Sequence, residues 1–180
     1  MDVKLGVGLA TGMFYHAPAG TALPTDPTAA IPGTWTHIGD VSDAGATLAL
    51  NKTVTNLRNW ANVIKRVIMT DHSETMQSPI MDTVEETLKA IVGSKNVTKA
   101  NGIITVNLSD GDLPEPEAFL WVMKDGDDMM MIGCSKGQVT AVDNVSFAPA
   151  NAINWTPTIT AMDDGFKLIM KEATGATGST

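Results

Sequence analysis

Alternating apolar and polar residues predict several strands along the chain. Two runs place apolar side chains at every second position: Phe119, Trp121 and Met123, and then Phe166, Leu168 and Met170. Because successive side chains of a strand point to opposite faces of a sheet, this period predicts strands with one buried face. A longer run, Asn62–Gln77, has the composition of a strand but poor alternation, and Thr47–Leu57 before it alternates loosely. The pattern therefore predicts a mainly β protein.

One helix interrupts these strands. Three apolar residues have the i, i+4, i+7 spacing of one helical face: Val84, Leu88 and Ile91. Asp82 is predicted to cap the N-terminus, with Glu85 completing a capping-box-like pair, and Gly93 stands where glycine commonly ends a helix. We therefore predict one α-helix, about Asp82–Val92, that flanks the sheet.

A proline-rich stretch near the N-terminus has neither a strand nor a helix pattern. Residues Ala17–Gly33 contain four prolines among small and polar residues. Stretches of this length without secondary structure are usually functional or disordered. We predict a long loop or arm that does not pack on its own core.

Turn residues predict a hairpin and an edge strand in the C-terminal half. The segment Asp125–Asp128 contains Asp-Gly and separates two apolar runs, which is a strong hairpin signal. The run Trp155–Ala161 also alternates. Because proline cannot donate a hydrogen bond to a strand ladder, Pro157 predicts that this run lies at the edge of the sheet.

Composition limits the classes of protein to which the chain can belong. The 180 residues carry a net charge of −8 and one cysteine, Cys134. The charge argues against binding to nucleic-acid phosphates or to an anionic membrane surface, both of which rely on Lys and Arg. No signal-peptide pattern or membrane span is evident, and the single cysteine fits synthesis in the cytoplasm. We expect one domain over residues 1–173 and a flexible tail over 174–180.

The sequence predicts no catalytic, cofactor or metal site. Asp71-His72-Ser73 looks like a compressed triad, but neighbouring strand residues point to opposite faces, so Asp71 and Ser73 cannot flank His72. The histidines and carboxylates elsewhere lack the spacing of a metal site. The acidic segment Ser109–Glu117 has Pro114 where a calcium loop needs a ligand, which favours a solvated turn. We expect a protein that is not an enzyme.

Four segments in the same order resemble one family. They are FYHAPAGTALPTD over residues 14–26, GTWTHIGDVSDAG over 33–45, KRVIMT over 65–70 and the helix over 82–93. Together they are similar to the signature of the major tail proteins, or tail tube proteins, of long-tailed bacteriophages. The resemblance covers roughly residues 14–93.

The resemblance implies a β-sandwich or barrel-like tail-tube fold with one flanking helix. It implies hexameric rings that stack into the tail tube, through which double-stranded DNA passes without specific binding. The implied location is the virion tail, and the implied partners are copies of the chain and other tail proteins: the tape measure, the tail terminator and the distal tail protein.

Site residues follow as expectations from this function. An acidic bore repels the duplex, so carboxylates of strands and turns are predicted to line it: Asp71, Glu74, Asp127 and Asp128. The proline-rich arm, the acidic loop and the strand aromatics are predicted to contact other subunits, through Pro18, Leu23, Pro24, Trp35, Asp110, Pro114 and Trp121.

The alternative is a non-enzymatic β-sandwich binding module or a virion decoration module for carbohydrate or host surfaces. Such a module displays exposed aromatic residues in a groove, and four tryptophans are available: Trp35, Trp60, Trp121 and Trp155. Their settings in the sequence favour core or interface positions instead.

Overall fold

The computed structural model describes residues 6–8, 13–109, 111–149 and 152–172. The strands in chain order are β1 (Val7–Gly8), β2 (Phe14–Pro18), β3 (Thr36–Gly39), β4 (Thr47–Arg58), β5 (Ile64–Gln77), β6 (Val97–Ala100), β7 (Ile103–Val106), β8 (Glu117–Asp125), β9 (Asp128–Val142), β10 (Pro157–Ala161) and β11 (Lys167–Lys171). The helix α1 (Glu85–Val92) lies between β5 and β6 and is followed by a 3-10 turn, Ser94–Asn96. The predicted tail, 174–180, lies outside the described residues, and the single domain over 1–173 stays a prediction.

One antiparallel sheet organises the subunit. Its strand order is β3-β2-β8-β9-β10-β5-β4, with β1 pairing with β8 and β11 pairing with β9, while β6 and β7 form a separate hairpin. In the part of the chain that the structure describes, β3 and β4 do not pair with each other, so the sheet is not closed into a barrel. The predicted mainly β class with one helix is confirmed.

The larger core cluster covers the sheet face beneath α1. Phe14 stacks on Trp121 with ring centroids 4.4 Å apart, and Ile80 and Ile159 are fully buried beside them. The helix contributes Ile91 to this cluster. Full burial of large apolar side chains provides the main favourable free energy of folding, so this cluster fixes where the helix lies.

The opposite face of the sheet carries a second cluster, and the predicted arm covers it. Leu23 and Ile31 pack against a set of buried side chains from β2, β8 and β9 and from the segment before β3: Ala17, Trp35, Ala118, Leu120, Val122 and Met131. Pro27 is buried, and Lys171 Nζ donates hydrogen bonds to the Asp26 carboxylate at 2.8 Å and to Thr28 Oγ1 at 2.9 Å. The prediction that Ala17–Gly33 stays off its own core is therefore wrong. Its few apolar residues have no regular spacing, but the turns between them bring them onto the sheet.

The helix begins later than predicted and lacks the predicted cap. Its N-cap is Val84, with no side-chain hydrogen bond, because the Asp82 carboxylate instead accepts a hydrogen bond from the backbone N–H of Asp40 at 2.8 Å. The end of the helix is as predicted, since Gly93 has φ of 88°, a conformation that favours glycine. Asp82 thus fastens the approach to the helix to the turn after β3.

Of the two predictions from turn residues, one is confirmed and one is wrong. The segment Asp125–Asp128 is the turn between β8 and β9, as predicted. The strand containing Pro157 is not at the edge, because β10 pairs with both β9 and β5. Pro157 is its first residue, a position at which a strand tolerates the missing N–H.

The contact between Lys171 and Asp26 predicts pH-dependent stability. The hydrogen bond from Lys171, with further ones from Thr28, lowers the pKa of Asp26 to about 2. A lowered pKa stabilises the fold above the ordinary aspartate value of about 3.9, and the contribution is lost as pH falls towards 2. We expect Asp26→Asn to lower the melting temperature at pH 7 and to have a much smaller effect at pH 2, where the carboxyl is about half protonated.

Thermal denaturation of wild type, Asp26→Asn, Lys171→Met and the double variant across this pH range measures the effect. Lys171→Met should reproduce the loss, and the double variant should add little to it. A melting-temperature difference that stays constant from pH 7 to pH 2 contradicts the assignment.

Candidate assembly surface

The β4–β5 hairpin extends beyond the body of the subunit. From Asn51 to His72 every residue is exposed except Ile68, which is half-buried. The partner strand β10 pairs only with residues 75–77 of β5. About nine residues on each strand therefore continue as a two-stranded ribbon, some 30 Å long at the usual rise per residue.

Local chemistry holds the tip of this ribbon in a defined turn. Asn59 Oδ1 accepts a hydrogen bond from Val63 N at 2.9 Å, and Asn62 has φ of 58°, a left-handed conformation that asparagine tolerates. An Arg58 guanidinium N–H donates to the Asn62 carbonyl at 2.9 Å. Between these residues Trp60 is fully exposed.

One face of the ribbon, called the apolar face below, carries most of its large apolar side chains, together with Lys52, Asn56, Arg58, His72 and Glu74. Residues directly opposite one another in an antiparallel pair share a face, and the pair Leu48–Met76 fixes which face continues the core, because Met76 is buried. Following the register outward places six large apolar side chains on this face, with exposures between 38% and 60%: Leu48, Leu50, Val54, Ile64, Val67 and Met69. An apolar face of this length in water is typical of an interaction surface.

The other face is polar. Most of its cross-strand pairs carry hydroxyl or amide side chains: Thr47–Gln77, Ala49–Thr75, Asn51–Ser73, Thr53–Asp71 and Thr55–Ile68. Near the tip the pair Leu57–Arg66 adds one exposed apolar side chain and one cation to this face. Two bulges create this division, since β5 carries Thr70 and Lys65 as extra residues where the register shifts. Without the extra Thr70, Met69 and Val67 would lie on the polar face. This explains the poor alternation of the sequence in this strand.

The ribbon is also the basic part of an acidic chain. Residues 47–77 contain four cations and two carboxylates, which gives a net charge of +2. Because the whole chain has a net charge of −8, the residues outside 47–77 have a net charge of −10. The charged residues are Lys52, Arg58, Lys65, Arg66, Asp71 and Glu74. Such asymmetry favours contact between the ribbon of one copy and the body of another.

The predicted bore residues do not form one surface. Asp71 is exposed on the polar face of the ribbon, whereas Glu74 lies on the opposite face, where its carboxylate accepts the Phe166 N–H at 2.6 Å. Asp127 is exposed and Asp128 half-buried, both at the β8–β9 turn. Glu74 is therefore engaged within its own subunit, and we do not retain it as a bore residue.

The predicted contact residues divide into buried and accessible ones. Trp121 is fully buried, with its Nε1–H donating to Ser78 Oγ at 3.1 Å, and Trp35 is also buried. Neither has surface to offer another subunit, so both predictions are wrong, because alternation alone does not separate a core face from an interface. Pro18 is exposed, the three residues Leu23, Pro24 and Pro114 are half-buried, and Asp110 lies outside the described residues.

The tryptophans do not form the aromatic groove of the alternative interpretation. Trp35 and Trp121 are in the core, and Trp155 is half-buried with its Nε1–H donating to Thr83 Oγ1 at 3.0 Å. Trp60 alone among the four is fully exposed. The exposure of Trp60 could have been predicted from the sequence, because this aromatic residue lies between two asparagines at the junction of two long strand runs.

Titratable side chains are not arranged for catalysis in the described ranges. Asp71 and Ser73 lie on the polar face of the ribbon and His72 on the other, so no triad forms. No group of three or more His, Cys, Asp or Glu in the described residues could hold a metal ion. Burial raises the pKa of the Cys134 thiol to about 12, which keeps it protonated. None of the described helices is long and apolar enough to span a membrane.

Comparison with known proteins identifies the family. The model of the phage tail tube protein family matches residues 7–176. The chain belongs to the phage tail tube protein family. Members are structural proteins of the virion tail and not enzymes, which agrees with the resemblance in residues 14–93.

Two further comparisons were made, with curated proteins and with solved structures. No protein of curated function matches the chain. Among solved structures, the chain is similar to one described as the tail of an empty GTA particle with C6 symmetry, with 9% sequence identity and a TM-score of 0.45. That alignment covers 92% of this chain and all of the other.

Proposed function

We propose that this tail tube protein assembles into hexameric rings that stack into the tube through which double-stranded DNA leaves the virion. The observation that carries this proposal is the apolar face of the β4–β5 ribbon. An isolated two-stranded ribbon is marginally stable in water, so a ribbon with an apolar face needs a partner surface. Since the tail tube is a polymer of one protein, the partner is a second copy of the chain.

The contact joins different surfaces of two copies. The ribbon projects from one side of the subunit, and β4 is the last strand of the sheet, with no strand paired to its outer side in the described ranges. A ribbon that lies on the body of the next copy is a heterologous, head-to-tail contact. Such contacts close into rings when the rotation between copies closes and otherwise continue as filaments. A tube of stacked rings needs contacts that close within each ring and contacts that continue from one ring to the next.

The polar face of the ribbon then faces the bore. Hydroxyl and amide side chains stay hydrated and do not hold phosphates as Lys and Arg do. Lys52 and Arg58 share the apolar face, so burial of that face turns them towards the neighbouring copy, whereas Arg66, opposite Leu57, is a cation on the polar face. We propose that Asp71, together with Asp127 and Asp128 of the β8–β9 turn, supplies the negative charge of the bore.

Sheet geometry supports a contribution of more than the ribbon to the wall. Six ribbons alone give 12 strands, which at about 4.8 Å spacing and about 40° tilt enclose a ring only about 24 Å across the backbone. Adding β10 and β9, the next strands in the sheet, gives four strands per copy and about 48 Å. The larger ring leaves room for a duplex after side chains fill the inside.

Both ends of a stacked tube present unpaired surfaces because head-to-tail contacts do not end by themselves. We propose that other tail proteins, in the roles of the tail terminator and the distal tail protein, cover these ends. A tape-measure protein occupies the bore before the DNA does. Synthesis takes place in the host cytoplasm, which agrees with a single buried cysteine.

Removing the ribbon tests its role in assembly. We expect a variant in which Asn-Gly replaces residues 52–72, joining the opposed residues Asn51 and Ser73, to keep the melting temperature of wild type because the deleted residues are exposed. It should form no rings or tubes in negative-stain electron microscopy of concentrated protein. Tubes of normal diameter from this variant contradict the proposal.

Reversing charge in the bore tests the conduit. We expect Asp71→Lys combined with Asp127→Lys to leave tube assembly intact and to slow DNA ejection from particles, because lysines in the wall bind phosphates. Ejection kinetics followed by a DNA-binding dye measure this effect. The matched control is Asp43→Lys, at an exposed position outside the proposed bore. Ejection at the wild-type rate from the double variant refutes the assignment.

A further inference from the structure

We propose that Trp60 inserts into the cavity beside the C-terminal end of α1 in a second copy of this chain. The inference rests on the proposed self-assembly and names the anchor of one contact within it. The residues that form the cavity belong to the end of the helix, to the 3-10 turn after it and to the segment that leads into β8, so they are not part of the ribbon.

The donor side of the contact is pre-organised. The turn carrying Trp60 is held by the hydrogen bonds of Asn59 and Arg58, so the indole is presented without further ordering of the backbone. Val63 and Ile64, at 51% and 45% exposure, extend the apolar surface next to it. Buried tryptophans at the centre of an interface are among the side chains that contribute most to affinity, and rigid presentation lowers the entropic cost of binding.

The acceptor cavity has the right size. Its volume is about 250 Å³, and its apolar lining comes from Ala90, Gly93 and Pro114. A cavity of about 150 Å³ is known to hold benzene, so one of this volume has room for the larger indole ring. A Cβ at Gly93 would lie 3.5 Å from Pro114, and its φ of 88° also favours glycine.

The lining of the cavity carries charges of both signs, and its glutamates suit the basic tip around Trp60. Lys89 and Lys95 line the cavity and can place ammonium groups near the face of an inserted indole. Lys89 is held by Glu85 at 2.7 Å, which fixes its position at the rim. Glu115 also lines the cavity and is exposed, so it can meet the guanidinium of Arg58 beside the tip.

The tip and the cavity lie at opposite ends of the strand direction. In the register, β5 pairs with β10 at Thr75–Gln77 and β10 pairs with β9 at 137–142. Both pairings are antiparallel, so β5 and β9 run in the same direction. The tip, before β5, and the β8–β9 turn, before β9, therefore lie at the same end of the sheet. Glu117 begins β8 at the other end and lines the cavity. A tip and a cavity at opposite ends can join copies head to tail.

Disulfide trapping tests the contact directly. Ala61 is next to Trp60 at the tip and exposed, and Ser94 is exposed on the cavity lining, so Ala61→Cys and Ser94→Cys bring two thiols together only if the tip occupies the cavity. The native Cys134 is buried and takes no part. Mild oxidation of concentrated double variant should give a ladder of covalent multimers on a non-reducing gel, whereas either single variant should give at most dimers.

Substitution of the anchor provides a second measurement. Trp60→Ala should weaken self-association by about 30-fold or more, the loss typical of truncating a central tryptophan, without changing the melting temperature. Trp60→Phe should fall between wild type and Trp60→Ala. The matched control is Phe147→Ala, which removes another aromatic at 73% exposure and should leave association unchanged. Sedimentation velocity over a concentration series measures all four proteins.

The outcomes separate this inference from the proposed function. The Trp60 contact alone is overturned if wild-type chains assemble, the double cysteine variant gives no ladder and Trp60→Ala associates normally. An equal loss in Trp60→Ala and Phe147→Ala also overturns it. Wild-type chains that remain monomeric at every concentration overturn the proposed self-assembly and this contact with it.

Discussion

The structure depends on a constraint that applies to any two-stranded ribbon, which is that one face must be covered before the strands are stable in water. At its base the β4–β5 ribbon satisfies this constraint within the subunit, because Met76 is buried in the larger core cluster. Beyond Glu74 the same face continues without cover in the described residues, while the opposite face carries hydroxyls and amides. The sequence therefore encodes a surface that a single copy leaves incomplete.

Around β2, β8 and β9 the sheet is covered on both faces, which favours assembly through the ribbon. The helix and the residues after β5 cover one face, and the segment from Ala17 to Trp35 covers the other. Turns at proline and glycine residues bring that segment onto the sheet. Lys171 of the last strand holds it there through a hydrogen bond to the Asp26 carboxylate. In the described residues, nine exposed large apolar side chains are concentrated on this projecting ribbon, which gives the proposed contact between copies a defined place and direction.

Local patterns in the sequence were sufficient for much of the fold. Alternation and the Asp-Gly turn identified β8, β9 and β11, and the spacing of Val84, Leu88 and Ile91 identified the helix. The family could also be recognised from four short segments that occur in the same order along the chain. These features depend on residues near one another in the chain, where a single sequence carries enough information.

Features set by distant residues could not be predicted in the same way. The bulges at Thr70 and Lys65 show only in the pairing of β5 with β4, and they decide which face is apolar. Burial of Trp121, the engagement of Glu74 by Phe166 and the central position of β10 likewise depend on tertiary contacts.

Thiol labelling of the two ribbon faces in the assembled protein tests the central claim most directly. Val67→Cys places a thiol on the apolar face and Thr55→Cys places one on the polar face, both at exposed positions of the subunit. Assembled protein should protect the first thiol from a small maleimide and leave the second reactive, whereas unassembled protein should label at both. Equal labelling of the two positions in assembled protein would contradict burial of the apolar face between copies.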